Sequence, residues 1–355
     1  MKPLRITIVL PFPVTKPVGG AKIMYEYANR LYAAGHSVTV LHSIRRPYKK
    51  MKSPLRWKKF VFALRGVARP KWFPLNKNIK STIVNSITNR YLPDADIVFS
   101  TWWQMAYAIT ELAPAKGKPV NLIQDFEIWA GQKEKILASF KLPIHHAVIA
   151  GYLKELLKEN SASNITYFPN AIDSTIFFKS ISIEERNPLS IIMLYSEESR
   201  KGSKYGVDAL VQIKKQIPAL KVTLFGVYNR PNNLPDWISY CRRPDNLTSL
   251  YNEHAIFLSP SLGEGWALPP AEAMACGCAV VCTNIGGHTD YAKDGETALL
   301  VKVEDENDII NKLTYLLANN NNRIQLANNG NQFLSANFNW GKSVDIATQF
   351  FYSIQ

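Results

Sequence analysis

The chain has 355 residues, more than a single hydrophobic core usually serves, so two domains are expected. Its 46% hydrophobic and 20% charged residues exclude a disordered or fibrous protein, and no apolar run reaches the roughly 18 residues of a membrane-spanning helix. Lys and Arg number 42 against 28 Asp and Glu, which gives a net charge of +14. Four cysteines are too few for a disulfide scaffold, and this favours a cytoplasmic location.

The N-terminal residues have the pattern of a strand, a loop, a helix and a second strand. The predicted bounds are 5–10 for the strand, 11–20 for the loop, 21–34 for the helix and 37–42 for the second strand. Gly35 is expected to end the helix. A β-α-β unit of this length predicts a parallel sheet with a right-handed crossover.

Residues 27–93 contain no acidic residue, and the part from 45 to 77 is predicted to be an irregular insertion between strands. A basic surface with aromatic neighbours can bind nucleic acid, an anionic bilayer or a polyanionic acceptor, or it can be merely solvated. We expect it to bind an anionic membrane surface and no nucleic acid. The stretch contains Arg45, Arg46, Lys49, Lys50, Lys52, Arg56, Lys58, Lys59, Arg65, Arg69, Lys71, Lys77, Lys80 and Arg90, interleaved with Trp57, Phe60, Phe62, Trp72 and Phe73.

Further apolar runs predict two doubly wound α/β domains in tandem. Runs that are apolar throughout indicate strands covered on both faces. The domains are expected at residues 1–168 and 169–339, with a C-terminal helix at about 340–355 that packs back on the first domain. The predicted strands are 96–100, 119–124, 147–150, 189–195, 221–225, 254–258 and 279–283, and the predicted helices are 152–159, 205–217 and 269–276. Cys276, Cys278 and Cys282 match no common zinc spacing and are interpreted as core residues.

The segment 259–277 carries the strongest functional signal. A strand ends before it, a glycine-flanked turn holds Glu264, and a helix begins at Pro269 or Pro270. Free backbone amides at such a helix start form an anion site suited to a diphosphate. Glu272, expected in the first helical turn, would accept hydrogen bonds from hydroxyls such as those of a ribose.

This segment resembles the Glu-x7-Glu signature of the family four retaining glycosyltransferases, which have the GT-B fold. Residues 168–173 resemble the family's inter-domain PNGVD turn, Lys201 and Gly202 resemble its KG pair, and Gly19 and Gly20 resemble its N-terminal glycine loop. Residues 286–288 and 294–301 resemble its GG and DG.TGLLV stretches. The resemblance implies an α/β fold of two Rossmann-like domains facing across a cleft.

The resemblance also implies roles at matching positions. Lys201 would neutralise the leaving diphosphate, Glu264 would bind the donor sugar and Glu272 the ribose. Gly265, Trp266 and Ala267 would offer backbone amides, while Gly19 and Gly20 would let the N-terminal loop approach the phosphates. The family often has an Arg where this chain has Ser196, so Arg200 is the candidate for a second positive charge.

The N-terminal half departs further from the family. Segments 100–104 and 122–127 look similar to bacterial rhamnan-synthesis-type transferases, which make surface polysaccharides. Trp102 or Trp103 is a candidate to stack on an acceptor sugar, or else packs beneath the cleft, and Asp125, next to Gln124, is a candidate acceptor-side and catalytic residue. His145 and His146 are interpreted as surface residues, with a catalytic role as the alternative.

The implied reaction is sugar transfer with retention from a UDP-, GDP- or dTDP-linked donor to a glycan or lipid-linked acceptor. Catalysis would rest on positioning and leaving-group stabilisation, with no cofactor and no metal. We expect a cytoplasmic enzyme on the inner face of the membrane. A noncatalytic sugar-nucleotide-binding homologue and a nucleic-acid-binding protein are the alternatives, and the Ser196 substitution supports the first of them.

Overall fold

The computed structural model describes residues 2–51, 53–130 and 132–355, so Lys52 of the acid-free stretch lies outside the described residues. The chain divides into two compact units. The first runs to Pro169 and includes Ser343–Gln355, and the second is Asn170–Lys342. The boundary that the sequence predicts lies one residue before this division.

The first unit is built on a parallel sheet that, within the described part of the chain, has seven strands in the order β3-β2-β1-β4-β5-β6-β7. All five residues of β4 are buried, as expected of a strand covered on both faces. The strands are β1 (Arg5–Leu10), β2 (Ser37–Ser43), β3 (Lys80–Val84), β4 (Ile97–Thr101), β5 (Lys118–Ile123), β6 (His145–Val148) and β7 (Ile165–Tyr167). The helices are α1 (Gly19–Ala33), α2 (Leu55–Leu64), α3 (Trp103–Thr110), α4 (Lys133–Ser139) and α5 (Gly151–Glu159).

The second unit repeats this architecture with six parallel strands among the residues described, in the order β10-β9-β8-β11-β12-β13. Its core contains buried aliphatic residues from the strands and from α6, α9 and α10, whose bounds follow. The strands are β8 (Ser190–Leu194), β9 (Lys221–Gly226), β10 (Ile238–Arg242), β11 (Ile256–Ser259), β12 (Ala279–Thr283) and β13 (Leu299–Val301). The helices are α6 (Ser203–Gln216), α7 (Leu247–Asn252), α8 (Leu268–Ala275), α9 (Glu306–Ala318) and α10 (Asn320–Asn337).

The last helix, α11 (Trp340–Ser353), belongs to the first unit from Ser343 onward. Phe351 is fully buried there, with its ring centroid 5.4 Å from that of Phe99 in β4. Ser343 Oγ donates a hydrogen bond to the carbonyl oxygen of Pro169 at 2.6 Å. The end of the chain therefore completes the core of the unit with which the chain begins.

Two local predictions are wrong, and both errors concern sites of interest. Gly19 and Gly20 are the first residues of α1 and not part of the preceding loop, because the helix begins after Val18, whose carbonyl accepts from Lys22 N. The stretch 45–77 is not irregular throughout, because it contains α2. The predicted burial of Cys276, Cys278 and Cys282 is confirmed.

No helix within the described ranges is long and apolar enough to cross a membrane.

Candidate functional site

The strand order of the second unit reverses between β8 and β11. The chain leaves β8 toward β9 on one side of this point and leaves β11 toward β12 on the other, which opens a crevice at the carboxyl edge of the sheet. The loop after β8 carries Lys201, and the loop after β11 carries Glu264. The fold thus places two predicted donor-site residues at the position where parallel α/β sheets bind ligands.

Lys201 and Glu264 form an ion pair in this crevice. Lys201 Nζ lies 2.6 Å from Glu264 Oε1, which also accepts a hydrogen bond from Ser261 Oγ at 2.9 Å. Arg200 Nη1 reaches Glu264 Oε2 at 3.5 Å. Only 9% of the Glu264 side chain is exposed, against 17% of Lys201 and 41% of Arg200. A nearly buried carboxylate therefore orients two cations of which the outer one faces solvent.

Gly202 allows these two loops to touch. Its φ of +62° is in the left-handed region, and a side chain there would collide with the carbonyl oxygen of Pro260. Beside this contact, Leu262 N donates to Arg200 O at 2.7 Å. The glycine of the KG pair thus fixes the distance between Lys201 and the Glu264 turn.

The turn around Glu264 is held from behind by Gly287. A Cβ atom at Gly287 would lie 2.6 Å from Glu264 Cβ, so only glycine fits against the turn. Gly287 O accepts from Ala267 N at 3.1 Å. The expectation that Ala267 offers a free amide is therefore wrong, since that amide is used to close the turn.

The start of α8 supplies fewer amides than the sequence argument assumed. The helix begins at Leu268, and its next two residues, Pro269 and Pro270, have no N–H group. The Trp266 side chain is buried against Tyr291, with ring centroids 4.9 Å apart, so it serves the core. Gly265 and Trp266 remain the candidates for backbone donors to an anion.

Glu272 lies in the second turn of α8, not in the first as predicted, because the helix starts at Leu268. It is 6% exposed. Tyr251 Oη lies 3.5 Å from Glu272 Oε2, and burial raises the pKa of that tyrosine well above its ordinary value. The carboxylate is therefore an acceptor at the inner wall of the second unit.

Ser196, at the position where the family often has an arginine, has a structural role in the same loop. Its amide donates to Ser203 Oγ at 2.9 Å, and its hydroxyl oxygen accepts from Glu198 N at 3.2 Å. A cavity of about 420 Å³ lies beside it, and its lining includes four carboxylates and one lysine, Lys204, but not Lys201 or Glu264. Carboxylates at its wall make this cavity a poor diphosphate site.

The strand order of the first unit also reverses, between β1 and β4. Gln124 links the elements that meet there, because its Nε2 donates to Gly20 O at 3.0 Å and to Thr101 Oγ1 at 2.9 Å. Gly20 packs closely on it, as a Cβ would lie 3.4 Å from Gln124 Nε2. Gln124 therefore ties the start of α1 to the end of β4.

The two tryptophans after β4 have different environments. Trp103 is 4% exposed and stacks on Tyr48, with ring centroids 5.7 Å apart and 17° between planes, so it is a packing residue. Trp102 is half-buried and has a φ of +82°, an outlier for a bulky residue. Trp103 is therefore excluded as a sugar platform, and Trp102 stays a candidate.

Sequence reasoning missed Glu127. Its carboxylate accepts a hydrogen bond from Trp103 N at 3.1 Å. This bond caps the start of α3, because the N-cap residue, Trp102, makes no side-chain hydrogen bond to the helix. Burial raises the pKa of Glu127 to about 7, and the nearby charge of Asp125 adds to this effect. The hydrogen bond from Trp103 N acts in the opposite direction. Asp125 itself is half-buried in the loop after β5. The only signal in the sequence is a second carboxylate two residues after Asp125.

His146 is buried and so is not the surface residue that the sequence predicts, whereas His145 is half-buried, and both lie away from the site. They are the first residues of β6, at the amino edge of the sheet, opposite the edge at which ligands bind. His146 is buried, and burial lowers its pKa to about 4. His145 packs edge-on against Phe350 at 5.5 Å between centroids. Their location disfavours the catalytic alternative.

The second unit matches a known protein family. Residues 174–333 match the family model described as glycosyl transferases group 1. An uncharacterised glycosyltransferase of Methanocaldococcus jannaschii is 33% identical over 100 residues, which is 28% of either chain. The alignments span about a quarter of the length of the first curated relatives. The second unit is thus a group 1 glycosyltransferase domain, and the resemblance to this family is confirmed.

Solved structures match the whole chain in fold. Sucrose-phosphate synthase from Thermosynechococcus elongatus has a TM-score of 0.74 at 16% identity, covering 99% of both chains. Anabaena HepE in complex with UDP and glucose has a TM-score of 0.71 at 13% identity, again over 99% of both chains. The predicted GT-B fold is confirmed.

The raised pKa of Glu127 predicts a pH-dependent stability. Because the folded pKa of about 7 exceeds the ordinary value of 4.5, the folded protein binds this proton more tightly, and stability falls as pH rises from about 4.5 to 7. The loss is about 3 kcal/mol by the size of the shift. Glu127→Gln keeps an acceptor for Trp103 N and should flatten this dependence in urea unfolding across that range. Glu134→Gln, an exposed change on α4, is the control. An unchanged slope in Glu127→Gln would contradict the assignment.

Proposed function

We propose that the protein is a retaining glycosyltransferase that moves a sugar from a nucleotide-sugar donor to a glycan or lipid-linked acceptor in bacterial surface polysaccharide synthesis. The observation that carries this proposal is the 2.6 Å pair of Lys201 and Glu264 at the strand-order reversal of a group 1 glycosyltransferase domain. The pair supplies a cation for a diphosphate and an acceptor for sugar hydroxyls within one crevice.

The proposed chemistry assigns each charge a task. The leaving diphosphate would take Lys201 and the more exposed Arg200 as partners, and Glu264 would then accept from donor hydroxyls. Positive charge placed in advance where negative charge develops is a large source of catalysis. Since two cations and the Gly265 and Trp266 amides can offset the diphosphate, the proposed reaction needs no metal ion and no cofactor.

The comparisons support a nucleotide-sugar donor, and UDP is the nucleotide favoured. HepE, which shares the fold, binds UDP and glucose. Glu272 is buried and acidic, as expected of a residue that accepts from ribose hydroxyls. Against a noncatalytic homologue, Arg200 lies within reach of Glu264, so the lost arginine at position 196 leaves the crevice with a second cation.

We propose that α2 docks the protein on an anionic membrane, where a lipid-linked acceptor would be available. Trp57 and Phe60 are 61% and 56% exposed, and Leu64 is 72% exposed. These residues follow one another at helical spacing, so they share a face of α2. Arg56, Lys58 and Lys59 are basic neighbours on the same helix. An exposed helix with apolar and basic residues binds at the lipid headgroup boundary.

The first test is the reaction itself. Purified protein with UDP-, GDP- and dTDP-sugars should show a thermal shift for one donor and turnover of it in the presence of EDTA. Lys201→Ala should lower that turnover by roughly a hundredfold, the scale of one lost transition-state contact. Lys204→Ala, an exposed change three residues away, should not. Near-normal turnover in Lys201→Ala would assign the diphosphate to Arg200 and the amides.

The second test concerns Glu272. Glu272→Gln keeps an acceptor for Tyr251 but removes the charge, so donor affinity should fall about tenfold, the difference between a charged and a neutral acceptor. Glu272→Ala should weaken it further. Calorimetric titration with the nucleotide measures both, with circular dichroism to verify folding. Wild-type affinity in a folded Glu272→Gln variant would overturn the ribose assignment.

The third test is liposome co-sedimentation. Binding to anionic but not neutral vesicles is expected, and salt should weaken it, because each basic residue contributes on the order of 1 kcal/mol within a Debye length. Changing Arg56, Lys58 and Lys59 to Glu should abolish binding, and Trp57→Ser with Phe60→Ser should reduce it at unchanged charge. Charge reversal at the exposed Lys179, Lys215 and Lys221 of the second unit is the matched control. Absence of binding at low salt would rule out the membrane role of α2.

A further inference from the structure

Arg46 lies at the carboxyl edge of the first unit's sheet, in the loop after β2. Its guanidinium is 4.9 Å from the ring centroid of Phe12, which follows β1, and 5.9 Å from that of Trp102, which follows β4. Phe12 and Trp102 meet edge-to-face at 5.9 Å. The three side chains therefore form a cluster at the strand-order reversal of this sheet, where ligands bind in such folds.

The charge of Arg46 is not matched by a carboxylate. Among the described residues no Asp or Glu forms an ion pair with it, although the side chain is half-buried. Burial lowers the pKa of Arg46, which reflects the cost of removing a cation from water. The faces of the two aromatic rings compensate part of that cost. A desolvated guanidinium with unused donors is suited to a planar oxyanion.

The backbone on both sides of Arg46 is fixed. Ile44 N donates to Val84 O and Arg45 N to Asn85 O, both at 3.0 Å, which extends the pairing of β2 with β3. Tyr48, two residues after Arg46, stacks on the buried Trp103. Arg46 is thus held between two anchors, whereas Arg45 is exposed.

Trp102 adds an aromatic surface beside the guanidinium. Its backbone is held at a φ of +82°, and such outliers persist only where the surroundings impose them. The cap that Glu127 gives to Trp103 N helps to impose this one. A positive charge and a half-buried indole ring together match a sugar that carries an anionic group.

We propose that Arg46 binds an oxyanion on the acceptor sugar, a phosphate ester or a carboxylate, with Trp102 against the sugar ring. This proposal rests on the proposed function and names its acceptor as an anionic saccharide. Neutral glycans would lack the group that Arg46 requires. A soluble sugar phosphate and a lipid-linked one share this chemistry, so the experiment separates them.

Direct binding to the full chain tests the proposal without turnover. Calorimetric titrations would use a hexose 1-phosphate, a hexuronic acid, the neutral hexose and inorganic phosphate. We expect one of the anionic sugars to bind better than the neutral hexose and inorganic phosphate. Arg46→Gln should weaken that binding at least about tenfold, as for loss of a charge-assisted bidentate contact. Arg45→Gln, which removes the same charge one residue away, should have little effect.

Three further measurements keep the result decisive. UDP affinity should be the same in both variants as in the wild type. If the wild type itself does not bind UDP, that result counts against the proposed function and not against the role of Arg46. Arg46→Lys keeps the positive charge and should bind the anionic sugar better than Arg46→Gln does. If Arg46→Gln is misfolded, Arg46→Lys is the variant to compare with the wild type, and it should bind more weakly. Vesicles containing phosphatidylinositol, compared with vesicles of equal phosphatidylserine content, separate a lipid-linked source from a soluble one. Equal loss in Arg45→Gln and Arg46→Gln, or equal binding of the neutral hexose, would overturn the proposal.

Discussion

The 2.6 Å contact between Lys201 and Glu264 depends on a constraint of sheet topology. The two residues are 63 positions apart in the chain, and they meet because β8 and β11 are neighbours that send their following loops to opposite sides. Parallel strands end at the same edge, so the ends of adjacent strands are brought together without any further device. The apolar core of the second unit stabilises this sheet and thereby holds the crevice open.

Close backbone approach then sets the geometry within the crevice. Gly202 packs against Pro260, and Gly287 packs against Glu264, at distances that no other residue permits. The hydrogen bond from Ala267 N to Gly287 O also holds the turn around Glu264 against the residues after β12. The Ser261 hydroxyl and Lys201 orient the Glu264 carboxylate. Uncharged neighbours thus fix the backbone of the turn, and the Ser261 hydroxyl together with the ion pair to Lys201 orients the carboxylate.

The sequence predicted the β-α-β pattern, because buried parallel strands are apolar throughout. It also predicted that Lys201 and Glu264 lie in loops after strands of the second unit, because those loops carry short motifs. It failed where a property depends on neighbours distant in sequence. Gly287 uses the Ala267 amide across 20 residues, and burial raises the pKa of Glu127. The sequence left open whether Trp103 stacks on a sugar or packs in the core, and its stacking on the distant Tyr48 decides for packing. The start of α1 at Gly19 was missed because glycine is a poor helix former, and α2 because its Trp, Lys and Arg residues show no buried face.

The two units use the same topological position for different electrostatics. In the second unit Lys201 and Arg200 have a nearly buried carboxylate as a common partner, which keeps both cations oriented while leaving an acceptor in the crevice. In the first unit Arg46 is compensated by aromatic rings alone among the described residues, and these offer attraction but no hydrogen-bond acceptor. In the proposed function, a diphosphate that enters the crevice of the second unit would displace Glu264 from Lys201, so its binding would exchange one ion pair for another. An oxyanion at Arg46 in the first unit would gain donors that are not otherwise used, so the proposed site could bind a single oxyanion. In the proposed function and acceptor site, the two units would therefore bind a diphosphate and a smaller anionic group respectively, and they would differ in what neutralises the cation in the loop after a strand.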